Sequence, residues 1–134
     1  MILDASAMIA ILRDEPEARS FARAIEDADS CRMSAVNYVE AAVVIDSQRD
    51  PIASRRFDEF IRTAELSIEP VTYRQAVIAR EAYRDFGKGS RHPARLNLGD
   101  CFAYALAKDF GEPLLFKGHD FSHTDVASAP GITG

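Results

Sequence analysis

The sequence predicts an α/β fold, a three-layer α/β/α sandwich around a short, mostly parallel sheet, with one domain covering residues 1–134. Short apolar runs alternate with amphipathic stretches of ten or more residues, as expected of a parallel sheet covered on both faces. At 134 residues the chain has the size of one typical domain. Its 47% apolar and 28% charged residues are typical of a globular protein and exclude a disordered or fibrous one.

Strand and helix signals follow each other through most of the chain. We expect strands where short apolar runs end at polar or turn residues: 1–4, 31–34, 66–70 and 113–116. We expect helices where a capping residue, a proline or a glycine precedes a periodic stretch: 7–12, 15–28, 35–49, 51–64, 73–86 and 99–111. Ser6 is the expected cap of the first helix. The remaining segment is rich in turn residues, with a short final strand expected at Val126.

Several protein classes are excluded by what the sequence lacks. The opening Met-Ile-Leu-Asp-Ala-Ser has neither the basic nor the apolar region of a signal peptide. No apolar run is long enough to span a bilayer. Cys31 and Cys101 lie in apolar stretches and are expected to be reduced core thiols. These features predict a cytoplasmic protein without a membrane partner.

The charge of the chain is unevenly distributed. A net charge of −5 argues against a nucleic-acid-binding protein unless the acids gather around a metal ion and the bases lie elsewhere. Between residues 80 and 95, five basic side chains stand against two acidic ones, a local charge of +3. Lys88, Arg91 and Arg95 are the candidates from this segment for contacts with a phosphate backbone. The alternative is a solvated helix end and loop.

Four carboxylates are expected at one edge of the sheet, because ligands of parallel sheets bind beyond the carboxyl ends of the strands. Asp4 ends the first strand, Glu40 lies in the helix after the second, Asp100 opens the last helix, and Asp120 follows the last apolar run. Each has a structural alternative. Asp4 can cap a helix, Asp100 can form an N-terminal capping arrangement with Asn97, and Asp120 can be an ordinary loop acid.

Glu40 is the acid hardest to explain as a surface residue. It lies four residues after Val36 and three before Val43, so it is expected to share an apolar helix face and to point inward. A buried carboxylate needs a cation or hydrogen bonds, because an unpaired buried charge is costly. A buried arginine partner is the alternative to a metal ion.

Taken together, the four acids indicate a metal site. Converging carboxylates repel one another, and a hard divalent cation relieves that repulsion. Ligands that are all oxygen favour Mg²⁺, with Mn²⁺ as substitute, over zinc. The histidines are scattered over loops without the spacing of a zinc site: His92, His119 and His123. Such a site activates water against phosphate oxygens, so the acids predict phosphodiester hydrolysis.

Four segments carry a resemblance to a known family. They are MILDASAMIAIL at the start, SAVNYVEAA around Glu40, RLNLGDCFAYALA around Asp100 and LLFKGHDFSHTDV near the end. These segments resemble the PIN-domain ribonucleases, and most of all the VapC toxins of prokaryotic toxin–antitoxin pairs. The resemblance covers essentially the whole chain. His119 departs from it, because many relatives carry an acid or asparagine at this position or the one before.

The resemblance implies a Mg²⁺-dependent endoribonuclease, a homodimer and neutralisation by a cognate VapB-like antitoxin. It implies that Mg²⁺ is held chiefly by two members of an acidic quartet, Asp4 and Asp100. The full implied quartet is Asp4, Glu40, Asp100 and Asp120. Asp125 is the alternative fourth acid. Ser6 and Asn97 match motif positions as supporting polar groups.

Two other functions compete with cleavage of RNA. A receiver-like phosphoacceptor shares the size, the α/β alternation, an early acid and Lys117 after a late strand. That class needs paired acids after the first strand, whereas Ala5 and Ser6 follow Asp4 here. The second alternative is a degenerate PIN module that only binds its partner, and an intact quartet argues against it.

Overall fold

The computed structural model describes residues 1–129 and has a four-stranded sheet in which every described strand is parallel to its neighbours. The strand order is β3-β2-β1-β4. The strands are β1 (Ile2–Leu3), β2 (Arg32–Ser34), β3 (Ser67–Glu69) and β4 (Leu114–Leu115). The central strand β1 therefore lies between the second strand and the last one. The sequence-based prediction of an α/β fold with a parallel central sheet is confirmed.

Helices cover both faces of this sheet. They are α1 (Ala5–Leu12), α2 (Ala18–Asp27), α3 (Ala35–Asp46), α4 (Pro51–Thr63), α5 (Tyr73–Phe86) and α6 (Leu98–Phe110), and a 3₁₀-helix follows at Asp120–His123. The helix boundaries agree with the expected ones to within about three residues. Within residues 1–129, no helix has both the length and the apolar character required to cross a membrane.

Three local expectations were wrong. Asp4, not Ser6, caps α1, because its carboxylate accepts the backbone N–H of Ser6. α2 begins later than expected, since the chain first turns at Asp14, where φ is +51°. Val126 is not in a strand. Its N–H donates to the Thr124 hydroxyl, and Ser128 forms the isolated bridge to β4 instead.

The sheet separates two apolar cores, because successive side chains of a strand point to opposite faces. Leu3 and Met33 pack with α1, α3 and α4 on one face. Ile2 and Leu114 pack with α5 and α6 on the other. Cys31 and Cys101 are buried free thiols, one in each core, as the sequence predicts. The two cores hold the strands so that β1 and β2 run directly into α1 and α3.

A charged network joins β2 to β3 and to Glu112, two residues after the end of α6. Arg32 donates to Glu69 at 3.0 Å through one terminal nitrogen and to Glu112 at 3.1 Å through Nε. Its guanidinium also lies over the Phe110 ring, 4.7 Å from the centroid. Because one planar guanidinium makes all three contacts, the network depends on arginine rather than on positive charge alone.

Replacing Arg32 by lysine is therefore expected to destabilise the fold. A lysine ammonium cannot bond both carboxylates and stack on the ring at once, so the urea midpoint should fall while the denaturant slope stays unchanged. Arg84→Lys is the matched control, since Arg84 bonds only the adjacent exposed Asp85. Equal midpoints for both variants and the wild-type chain would contradict this prediction.

Candidate active site

Asp4 has one satisfied carboxylate oxygen and one free one. It ends β1 and caps α1, and its Oδ2 accepts the backbone N–H of Ser6 at 3.1 Å and the Ser6 hydroxyl at 2.6 Å. Oδ1 is buried and has no hydrogen-bond partner. Burial raises the pKa of Asp4, and the bonds from Ser6 oppose that shift. The helix cap therefore uses only one of the two carboxylate oxygens of Asp4.

Ser6 joins Asp4 to the loop after β4. Its hydroxyl donates to Asp4 and accepts the backbone N–H of Lys117 at 3.0 Å. The Lys117 ammonium itself bonds Glu15 at 2.6 Å. Ser6 therefore fixes one carboxylate oxygen of Asp4 and also holds the loop that leads to Asp120.

Asp100 is held by a reciprocal cap at the start of α6. The Asn97 side chain accepts the Asp100 N–H at 2.9 Å, and Asp100 Oδ2 accepts the Asn97 N–H at 3.0 Å. Burial raises the pKa of Asp100 to about 7, the charge of Asp4 adds to the rise, and the Asn97 N–H opposes it. Asp120 and Glu40 raise it further. The carboxyl group therefore takes up a proton near neutral pH.

Glu40 projects from α3 toward the first turn of α6. Its Oε1 accepts from Asn37 Nδ2 at 3.3 Å, and a methyl group built at Gly99 would overlap its carboxylate. Burial and then the charge of Asp4 raise the pKa of Glu40. No arginine pairs with it among residues 1–129, so the alternative of a buried arginine partner is wrong.

The helix face that Glu40 shares with Val36 and Val43 explains its inward orientation only in part. Val43 is 60% exposed, so the helix face that it shares with Glu40 is not buried at that end. The Asn37 side chain holds the carboxylate instead, and Asn37 is fully buried. The sequence pattern did not single out Asn37, because a polar residue one turn before an acid has no distinctive spacing.

Asp120 and Asp125 lie in different environments. Asp120 begins the 3₁₀-helix, is exposed, and raises the pKa of both Asp4 and Asp100 by its charge. Asp125 accepts from the Tyr104 hydroxyl and pairs with Lys108 at 3.0 Å, and these contacts lower its pKa. The charge of Asp120, and not that of the alternative Asp125, therefore acts on Asp4 and Asp100.

The acidic cluster is defined here as Asp4, Glu40, Asp100 and Asp120. As the side chains stand, no three Asp, Glu, His or Cys residues in the described part of the chain converge closely enough to enclose a metal ion. Two features nevertheless suit a cation: the unpartnered Asp4 Oδ1 and the pKa of Asp100 raised by its acidic neighbours. Because the available donors are carboxylate oxygens, their chemistry suits a hard cation such as Mg²⁺ or Mn²⁺ rather than zinc.

The predicted basic contacts lie on the segment that enters α6. Its ends are joined by hydrogen bonds from Lys88 N–H to the Leu96 carbonyl at 2.8 Å and from Leu96 N–H to the Phe86 carbonyl at 2.9 Å. Lys88, Arg91 and Arg95 are exposed, and within residues 1–129 none of them forms an ion pair. The segment therefore presents unpaired positive charge two residues before the cap of Asp100.

Comparison with known proteins identifies the family of this chain. Residues 1–127 match the PIN domain. The chain is 60% identical over 129 residues to Ribonuclease VapC28 of Mycobacterium tuberculosis, covering 96% of this chain and 97% of that protein.

Solved structures agree in fold. Mycobacterium tuberculosis VapC20, described as a sarcin–ricin loop cleaving toxin, superposes with a TM-score of 0.74 at 16% identity, over 94% of this chain and 95% of that one. A toxin–antitoxin complex from Klebsiella pneumoniae gives 0.70 at 16% identity, over 99% and 95%. The family match and the identity to VapC28 decide the assignment: the chain belongs to the PIN-domain family, among its VapC-type ribonucleases.

Proposed function

We propose that this protein is a divalent-metal-dependent endoribonuclease that acts as the toxin of a toxin–antitoxin pair. The observation that carries the proposal is the electrostatic coupling of Asp4, Glu40, Asp100 and Asp120 at the carboxyl edge of the sheet in a VapC-type chain. A VapB-like antitoxin is the proposed partner, supported by the fold shared with a toxin–antitoxin complex. The proposed working form is a cytoplasmic homodimer.

Asp4 and Asp100 are the residues proposed to hold Mg²⁺, which would supply Lewis-acid chemistry and lower the pKa of water. Ser6 binds one oxygen of Asp4 and leaves the other available, and Asn97 does the same for Asp100. Glu40 has a raised pKa, so its carboxylate is suited to accept a proton near the substrate. Asp120 is the exposed member, open to solvent and substrate.

Of the two competing functions, only one remains after the comparison with known proteins. The family match sets aside the receiver-like phosphoacceptor. A PIN module that only binds its partner remains the second candidate, and it predicts no cleavage under any metal condition. A cleavage assay with a matched inactive variant therefore separates the two.

Purified protein is expected to cut total cellular RNA with Mg²⁺ or Mn²⁺ and to stop when EDTA is in excess. Asp4→Asn should lower cleavage by about a hundredfold or more, because losing an anionic ligand exceeds the loss from disturbing an outer-shell group. Asparagine caps helices as well as aspartate, so the circular dichroism spectrum should be unchanged. Full activity in excess EDTA, or near-normal cleavage by Asp4→Asn, would contradict the proposal; mapping of new RNA ends is the measurement.

The metal-free protein is expected to lose stability as pH rises from about 4 to about 7. The pKa of Asp100 is about 7 in the folded chain against 3.8 when unperturbed, so between these values the folded state holds a proton that the unfolded state has released. Urea denaturation in EDTA at several pH values measures this slope. Asp100→Asn keeps the cap acceptor and should flatten the slope; identical slopes in both proteins would refute the assignment.

The basic segment is expected to add RNA affinity without taking part in metal binding. Arg91→Gln with Arg95→Gln should weaken binding and reduce the salt dependence by somewhat under one unit for each lost phosphate contact. Binding is measured with the Asp4→Asn protein, which does not consume the RNA. Arg55→Gln with Arg56→Gln, two exposed arginines of α4, is the charge-matched control. Unchanged affinity and salt slope would show that the substrate runs elsewhere.

A further inference from the structure

Asn37 is a fully buried polar residue with no place yet in the proposed chemistry. It lies in α3 one turn before Glu40. Its Nδ2 donates to the Gly99 carbonyl at 3.0 Å and to Glu40 Oε1 at 3.3 Å. Its Oδ1 is buried and has no hydrogen-bond partner. One amide therefore joins two helices and leaves an acceptor unsatisfied.

The orientation of this amide is determined by its neighbours. The Gly99 carbonyl can only accept, and the Glu40 carboxylate accepts when ionised, so the reversed amide would place its oxygen against the Gly99 oxygen. Burying an unsatisfied carbonyl oxygen costs free energy that an apolar side chain of similar size would not. The fold alone therefore does not explain an asparagine here.

Gly99 closes the same arrangement from the other side. Any Cβ at this position would overlap the Glu40 carboxylate, although φ at Gly99 is not in the left-handed region. Glycine is disfavoured within helices, and at this position in the first turn of α6 its missing side chain leaves the space that the Glu40 carboxylate occupies. Gly99 directly precedes Asp100, so Glu40 is held between the Asn37 amide and the turn that carries Asp100.

We propose that Asn37 is a positioning residue that fixes the Glu40 carboxylate against the first turn of α6 and so sets its place relative to Asp100. The inference rests on the proposed function, because it concerns the same acidic cluster. Asn37 is fully buried, so it does not touch RNA. Its loss should therefore lower kcat and leave KM unchanged.

The test measures kcat and KM on a synthetic RNA that spans a cleavage site mapped with the wild-type protein. Asn37→Ala should lower kcat by about tenfold or more, the effect typical of removing a group that orients a site residue. Gly99→Ala should give the same loss by displacing the same carboxylate. The double variant should be no slower than the worse single variant, because neighbours that act on one group are not additive.

Gln75→Ala is the matched control. Gln75 is also a buried amide bonded to a carboxylate, since its Nε2 donates to Asp109 at 3.1 Å, but it joins α5 to α6 away from the acidic cluster. It should lower the melting temperature and leave kcat unchanged. All assays are run at a temperature where melting curves show each variant folded.

Several outcomes would overturn the inference. A kcat for Asn37→Ala no lower than that of Gln75→Ala, a change in KM alone, or an additive double variant would each do so. Where Asn37→Ala does not fold, Gly99→Ala decides, and an unchanged kcat there overturns the inference. Wild-type protein that does not cleave would instead show that the proposed function fails, and the inference with it. Glu40→Gln that cleaves at the normal rate would leave the proposed function standing but would overturn the inference, because the carboxylate that Asn37 positions would then have no role in cleavage.

Discussion

The burial of the Asp4 carboxylate at the end of the central strand is the constraint on which the rest of the site depends. Burial is the main cause of the raised pKa of Glu40, Asp100 and Asp4. The charge of Asp4 adds to the shift of the first two, and the charge of Asp120 adds a smaller contribution to that of Asp4. Burying this carboxylate costs free energy of folding. The two hydrogen bonds that Ser6 donates to it in the first turn of α1 offset part of that cost. The unpaired oxygen that remains is what a cation would bind.

Three polar residues limit the disorder that repulsion among these acids would cause. Ser6, Asn97 and Asn37 each donate to one carboxylate oxygen of Asp4, Asp100 and Glu40 respectively. Each donor lies close in sequence to the acid that it holds. Residues close in sequence therefore fix the orientation of each acid, whereas the order of the strands in the sheet brings the acids together.

The sequence was a good guide to the order of elements and to the edge where the acids meet, because both follow from hydrophobic periodicity and strand direction. It was a poor guide to partners. Glu40 bonds an amide and not an arginine, and Asp125 is committed to Tyr104 and Lys108. The Asn37–Glu40 pair lies within one helix but has no distinctive spacing, and the contacts of Asp125 depend on how a loop meets α6, which no periodicity records.

The parallel sheet has a consequence for how the chain folds during synthesis. β1 is flanked on one side by β4, and the Ser6 hydroxyl meets the backbone of Lys117 at a separation of 111 positions. Contacts so distant along the chain form late, and a sheet lacking β4 leaves β1 as an unpaired edge. A nascent chain that has not yet released the segment after β4 therefore has no Asp120 and no support for the Ser6 hydroxyl. Under the proposed function, hydrolytic competence would not arise before the segment after β4 has been synthesised.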